Sequence, residues 1–298
     1  MRESVGSIMK KRLTGIILFL LLFPGCAEAA EKQIEYVPDI TAQAAVVMNL
    51  DTGEVLYGKN EHERRPPASL TKVMTGYLLV RQQDLKQAVT VSDNAAQTGE
   101  SSLDLKPGDK LEAEDLLFGA MLKSANDACV ALAEQNAGSE EKFVERMNLQ
   151  ACLLGCSNTK FCNSNGLPAE DHYSSAYDLA VITRAAMQNE KFAEIVQTQQ
   201  YRVCWEDGRK VLVRNTNRLL REYPGVIGVK TGTTNEAGQC LIALAEKEGK
   251  RILVVVLKSR NRFYDATALL DYGLSAGAKS GILENMSEKK SEGHRAAA

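Results

Sequence analysis

Apolar positions follow two different periods along this 298-residue chain. Toward both ends they form short runs between turn residues, as strands do. Through the middle they recur every three or four residues, as helices do. Residues 43–58, QAAVVMNLDTGEVLYG, are two short apolar stretches around Asp51-Thr52-Gly53, which predicts a hairpin. Residues 68–82 carry the helical period, and 88–110 are polar and loop-like, closing at Lys106-Pro107-Gly108-Asp109. Residues 111–136 are helical on either side of an interruption near Ser124, and 139–154 and 174–188 predict two further helices. YRVCWEDGRKVLVRN (201–215) predicts a second hairpin with Asp207-Gly208 at its turn. GVIGVKTGTT predicts a strand that reaches a glycine-rich bend. GQCLIALAEKEGKRILVVVLKS (238–259) predicts a third hairpin turning at Glu248-Gly249, and 262–274 a closing helix. Strands at both ends with helices between predict an α/β protein of the α+β kind. One antiparallel sheet is assembled from the two termini and flanked by helices, with a helical subdomain inserted.

The ends fall outside this scheme. MKKRLTGIILFLLLFPGCAEAAEK begins with Lys10, Lys11 and Arg12, continues through an apolar core from about Leu13 to Phe23, and ends at Ala27-Glu28-Ala29. The apolar run is too short for a membrane span and has the form of a secretory signal peptide over 1–29, so the mature protein is expected outside the cytoplasm. Cys26 after Gly25 offers an alternative, a lipid anchor, although the preceding Phe23-Pro24 lacks the usual leucine. Residues 277–298 are polar and predict a loose tail. The remaining 36–276 is one domain.

Composition narrows the chemistry. The formal net charge is −2 and no basic stripe appears, which argues against nucleic acid as a partner. The three histidines, His62, His172 and His294, stand in polar, loop-like contexts. Acid–base work therefore falls to Lys, Asp, Glu or Ser. Six cysteines remain beyond the signal: Cys129, Cys152, Cys156, Cys162, Cys204 and Cys240. Cys129 and Cys240 lie in apolar patterns and read as buried hydrophobes. Cys152 and Cys156 are placed on one helix face. Reduced, structural cysteines are favoured, with a Cys156–Cys162 bridge as the alternative.

One short stretch carries more. Ser69-Leu70-Thr71-Lys72 follows Pro66-Pro67 and opens an apolar helix. A serine there sits near unpaired N–H groups, and a lysine three residues on lies one turn away on the same face. If its pKa is lowered by burial or a second cation, that lysine can take the serine proton. Spacing alone decides nothing, because S-x-x-K occurs five times, at Ser7, Ser69, Ser139, Ser157 and Ser287. Alone, Ser69 reads equally well as a helix cap with Lys72 as a solvated charge. Two later motifs change this. Ser124-Ala125-Asn126 interrupts a helical region, with Ser92-Asp93-Asn94 as a decoy in a polar segment. Lys230-Thr231-Gly232 ends a predicted strand, where Gly232 lets a substrate backbone approach. A second match, Lys279-Ser280-Gly281, lies in the tail.

This ordered set resembles the penicillin-recognising serine enzymes. Within them, AAVVMNLDTGEVLYGKNEHERRPPASLTKVMTGYL, DLLFGAMLKSANDACVALAE, FCNSNGLP and GVIGVKTGTTNEAGQCLIALA resemble the D-alanyl-D-alanine carboxypeptidases of the low-molecular-mass penicillin-binding proteins, the S11 peptidases, over about residues 40–275. The resemblance implies a transpeptidase-like fold with Ser69 as acylated nucleophile, Lys72 as its base and Ser124 relaying a proton to the leaving amine. It implies that Asn126 holds the substrate peptide bond. Lys230 supplies charge beside Ser124 and helps keep Lys72 neutral. Thr231 and Arg262 bind the terminal carboxylate, with Gly232 between strand and substrate. The N–H groups of Ser69 and Thr233 form the oxyanion hole. The implied substrate is a peptidoglycan stem peptide ending in D-Ala-D-Ala, and β-lactams are covalent inhibitors. No metal or cofactor is required. The β-rich domain and anchoring helix that follow in many relatives are not expected in the short polar tail. A class A β-lactamase would need a glutamate loop of the form E-x-x-L-N. The nearest text, Glu145-Arg146-Met147-Asn148, lacks it. A non-catalytic penicillin sensor would need a transmembrane segment after the signal.

Overall fold

The computed structural model describes residues 37–82 and 84–275. The segment expected to be a signal peptide, Cys26, His294 and the stretch expected to be a tail lie outside the described residues. Nine strands are described. β1 (Ala44–Asn49) and β2 (Val55–Lys59) come first, β3 (Ala88–Thr90) and β4 (Lys110–Glu112) follow, and β5 (Gln200–Cys204) pairs with β6 (Lys210–Arg214). β7 (Val226–Thr234), β8 (Gly238–Lys247) and β9 (Lys250–Ser259) complete the set. The helices are α1 (Lys72–Gln82), α2 (Asp93–Ala96), α3 (Ala113–Phe118), α4 (Asn126–Ala137), α5 (Glu140–Leu153), α6 (Ala176–Ala186), α7 (Glu190–Gln197), α8 (Leu219–Glu222) and α9, residues 262–275.

The main sheet is antiparallel in the order β2-β1-β9-β8-β7, so the last hairpin inserts between the first hairpin and β7. Side chains alternate across it. Val46 and Met48 of β1, Ile242 and Leu244 of β8 and Val255 and Leu257 of β9 enter the larger core with α1, α4 and α6. Val47, Leu241, Ala243, Val254 and Val256 enter a second core under α8 and α9. Burial on both faces explains why β8 and β9 read as continuous apolar runs instead of alternating ones.

The three predicted hairpins are present, and the predicted helices at 68–82, 139–154, 174–188 and 262–274 are found with small shifts of their ends. The segment 88–110 is not simply a loop. It holds β3, α2 and the start of β4, elements too short to carry a periodic signal. Buried Asp127 organises its second half, accepting from the backbone nitrogens of Leu103 and Leu105 and from Ser102 Oγ. Helices α7 and α8 escape the sequence pattern. The interruption near Ser124 is real. After α3 the chain makes a π-type turn over Gly119–Lys123, Ser124 takes a left-handed conformation (φ 68°), and α4 starts at Asn126. The six described cysteines are free, with Cys129, Cys156 and Cys240 buried, so the Cys156–Cys162 bridge is not formed. Cys156 lies beyond the end of α5 and does not share a helix face with Cys152.

Candidate active site

Three walls meet at a cleft of about 270 Å3 lined by Ser69, Ser124, Asn126, Gly166, Thr216, Thr231, Gly232, Thr233 and Arg262, among others. The first wall is a 3-10 turn over Ala68–Thr71 at the head of α1, entered through Pro67. The N-cap of this turn is Pro67, and Ser69 lies inside it, its Oγ bonded to Lys72. The turn is braced from below. Ala68 has a positive φ of 48°, and its carbonyl accepts from Thr71 Oγ1 at 2.9 Å. His172 Nδ1 accepts from the Cys162 backbone N–H, so its proton sits on Nε2, which donates to Thr71 Oγ1 at 2.9 Å. His172 lies in a loop, as its sequence context predicts, but it is buried beneath the turn that carries Ser69. Burial lowers its pKa to about 4.

Lys72 is fully buried. Its Nζ lies 3.0 Å from Ser69 Oγ, 2.7 Å from Asn126 Oδ1 and 2.6 Å from the Asn165 carbonyl oxygen. Burial lowers its pKa to about 8, against the opposing pull of Cys129, Asp127 and Glu100. Two of the three neighbours can only accept. A neutral Lys72 therefore spends both N–H groups on Asn126 and Asn165 and turns its lone pair to the Ser69 hydroxyl.

The second wall is the break before α4. Ser124 Oγ lines the cleft without a hydrogen-bond partner among the described residues. Asn126 is held from both sides: its Nδ2 donates to the Gly99 carbonyl at 3.0 Å and its backbone nitrogen to the Ser101 carbonyl at 2.7 Å. The decoy Ser92 instead caps α2, accepting from the Ala95 nitrogen.

The third wall is β7, an edge strand whose outward backbone groups have no sheet partner among the described residues. Lys230-Thr231-Gly232 lies inside this nine-residue strand and does not end it at a bend. The reason is contact. A Cβ on Gly232 would stand 3.1 Å from the Ser69 nitrogen, so a bare strand is pressed against the turn that carries Ser69. Thr231 Oγ1 bonds Thr216 Oγ1 at 2.6 Å. Arg262 Nη1, from α9, donates to the Gly232 carbonyl at 2.7 Å and to Thr233 Oγ1 at 2.8 Å, while its buried Nε has no partner among the described residues. Lys230 is buried, and its Nζ donates to the Thr231 carbonyl at 3.0 Å. No hydrogen bond joins it to Ser124 among the described residues. Its pKa is pushed well down, first by burial and then by the charges of Lys72 and Arg262. Burial is the first cause for both lysines.

All nine residues expected at the site are brought together. Asn165, Gly166, Thr216 and His172 join them without being marked by any motif. Asn165 and Gly166 act through backbone, which leaves no side-chain signature, although both lie in FCNSNGLP. Glu145, the nearest approach to a β-lactamase glutamate, is exposed on α5 and does not line the cleft. Among the described residues no group of three or more His, Cys, Asp or Glu side chains is placed to hold a metal. No helix among them is long and apolar enough to cross a membrane.

The sequence profile of the D-alanyl-D-alanine carboxypeptidase (S11 peptidase) family matches residues 30–261. The D-alanyl-D-alanine carboxypeptidase DacF of Bacillus subtilis is 38% identical over 278 residues, spanning 90% of this chain and 72% of its own length. The D-alanyl-D-alanine carboxypeptidase DacB2 of Mycobacterium tuberculosis is 33% identical, spanning 83% of this chain and 87% of its own length. The crystal structure of a Streptomyces DD-transpeptidase superimposes with a TM-score of 0.77 at 34% identity, covering 80% of this chain and 99% of that one. With the family profile covering most of its length, the chain belongs to the D-alanyl-D-alanine carboxypeptidases of the S11 peptidase family.

Proposed function

We propose that Ser69 is the residue through which this carboxypeptidase acts, and that Lys72 is its base. The observation that carries the reading is the fully buried Lys72 amine, 3.0 Å from Ser69 Oγ and lowered to about 8. Ser69 Oγ attacks the carbonyl between two D-alanines while its proton passes to Lys72 Nζ. The oxyanion is held by the N–H groups of Ser69 and Thr233, each such donor being worth roughly 10²–10³ in rate. Ser124 Oγ, which bonds no described residue, passes a proton to the departing nitrogen. The C–N bond breaks and D-alanine leaves with its amine protonated. Asn126 holds the retained peptide, while Thr231, Thr233 and Arg262 hold the terminal carboxylate. Water then cleaves the Ser69 ester, releasing the shortened peptide and restoring the Ser69 proton.

The substrate in this reading is a peptidoglycan stem peptide ending in D-Ala-D-Ala. A β-lactam mimics it, acylates Ser69 and hydrolyses slowly. Such a substrate lies outside the cytoplasm. The basic start, apolar core and Ala27-Glu28-Ala29 of the first 29 residues support export to the cell envelope and a role in cell-wall biogenesis.

Mass spectrometry after penicillin treatment tests the assignment. The adduct is expected on Ser69, with D-Ala released from D-Ala-D-Ala peptides, and both lost in Ser69→Ala. An adduct on another residue, or labelling that survives in Ser69→Ala, overturns it.

A further inference from the structure

Two charges on the second wall are not used by the reaction above. Glu100 and Lys123 both line the cleft, and neither forms an ion pair or side-chain hydrogen bond with a described residue. Neither is on a free loop. Glu100 is exposed but sits between two anchored neighbours: Gly99 accepts from Asn126 Nδ2, and the Ser101 carbonyl accepts from the Asn126 nitrogen. Ser101 Oγ also donates to the Lys123 carbonyl at 2.8 Å, tying the two segments together. Glu100 is held in the left-handed region at φ 64°, a conformation a glutamate rarely adopts without a surrounding constraint. An anion and a cation are therefore carried on backbone tied to Asn126, in the cleft that Arg262 also lines.

That placement has a direction. In the reaction above, Thr231, Thr233 and Arg262 take the leaving D-alanine's carboxylate and Asn126 takes the retained half. Groups anchored to Asn126 thus face the residue that precedes the two D-alanines. We infer that Glu100 and Lys123 form a specificity subsite for a stem-peptide side chain that ends as a zwitterion, with an ammonium toward Glu100 and a carboxylate toward Lys123. The inference rests on the proposed roles of Ser69 and Asn126. A diamino-dicarboxylic residue at this position satisfies both charges. A lysine satisfies Glu100 only and meets Lys123 with like charge.

Pentapeptides L-Ala-γ-D-Glu-X-D-Ala-D-Ala, with X as meso-diaminopimelate, its side-chain amide or L-lysine, test this by D-Ala release. The diaminopimelate peptide should be favoured in kcat/KM over both others by about fivefold to tenfold. Glu100→Gln should lower kcat/KM for the diaminopimelate and lysine peptides. Lys123→Met should erase the preference for diaminopimelate over its amide. Penicillin acylation of Ser69 should be unchanged in Lys123→Met, and unchanged in Glu100→Gln on the high-pH plateau, where the pull of Glu100 on the Lys72 charge no longer matters. Equal kcat/KM for the three peptides, or preferences that survive both substitutions, would overturn the subsite while leaving the carboxypeptidase reading intact. Failure of every peptide to release D-Ala would instead count against the underlying reading, and the subsite would fall with it.

Discussion

Lys72 Nζ and Ser69 Oγ lie 3.0 Å apart, one turn from each other at the head of α1, and the lysine has no access to water. Only the neutral amine can accept the serine proton, and with a pKa near 8 its neutral fraction rises with pH. The second-order rate of acylation by a fluorescent penicillin should climb about tenfold per pH unit below that value and level off above it. Lys72→Ala should lower the rate by roughly 10²–10⁴. A flat profile between about pH 6 and 9, the range that spans a lowered lysine pKa, would contradict the assignment.

His172 sets a second pH dependence, in stability. Its Nδ1 must stay unprotonated to accept from Cys162, and burial lowers its pKa to about 4 from 6.5. Between these values the unfolded chain binds the proton and the folded chain does not, so stability rises with pH across that window. It is fully present above 6.5 and lost as pH falls toward 4, a change of roughly 3 kcal/mol. Urea unfolding at a series of pH values should show this slope, and His172→Gln should flatten it. An unchanged slope in the variant would assign the acid sensitivity elsewhere.

Gly166 has a positive φ of 88°, and a Cβ there would fall 2.0 Å from the Ala68 carbonyl oxygen. No flexible side chain can yield, because the obstacle is the backbone that carries Ser69. Gly166→Ala should cost about 3 kcal/mol or more, from the left-handed strain and the forced shift. Displacing the turn by about 1 Å should also slow acylation by about 10²-fold. Thermal melting and penicillin labelling check both. A variant with wild-type labelling would show that the turn holds its shape without this contact.

The parts of the site that the chain spells out locally are legible in the sequence alone. Ser69 and Lys72 share a helix face because of their spacing, and Ser124 and Asn126 interrupt an otherwise regular helical pattern. The strand around Lys230 is marked by its apolar neighbours. The rest depends on contacts between distant segments. Asn165 contributes a carbonyl oxygen to Lys72, Thr216 meets Thr231, and His172 braces Ala68 through Thr71. None of these changes a local period. The same holds for 88–110, where the stretch around Leu103 and Leu105 is ordered by Asp127 from another helix. The bend expected at Gly232 is absent for a related reason: the glycine serves the close approach of Ser69, which no local pattern encodes.

Arg262 offers the sharpest test of how the cleft reads the substrate's end. Its Nη1 is committed to the Gly232 carbonyl and Thr233 Oγ1, which fixes the guanidinium against β7. Its Nη2 group, which bonds no described residue, then presents a cation to the cleft, where a carboxylate can be held by charge-assisted bonds. Lysine cannot reproduce both functions, because one ammonium cannot bond the strand and present a planar fork. Arg262→Lys should therefore lower kcat/KM for a D-Ala-D-Ala peptide by about 10-fold to 100-fold. Amidating the peptide terminus separates binding from scaffolding. The amide should cost the wild type about as much as the substitution does, and should cost Arg262→Lys little more. If the amide penalty is the same in both proteins, Arg262 supports the strand and the carboxylate is read by Thr231 and Thr233 alone.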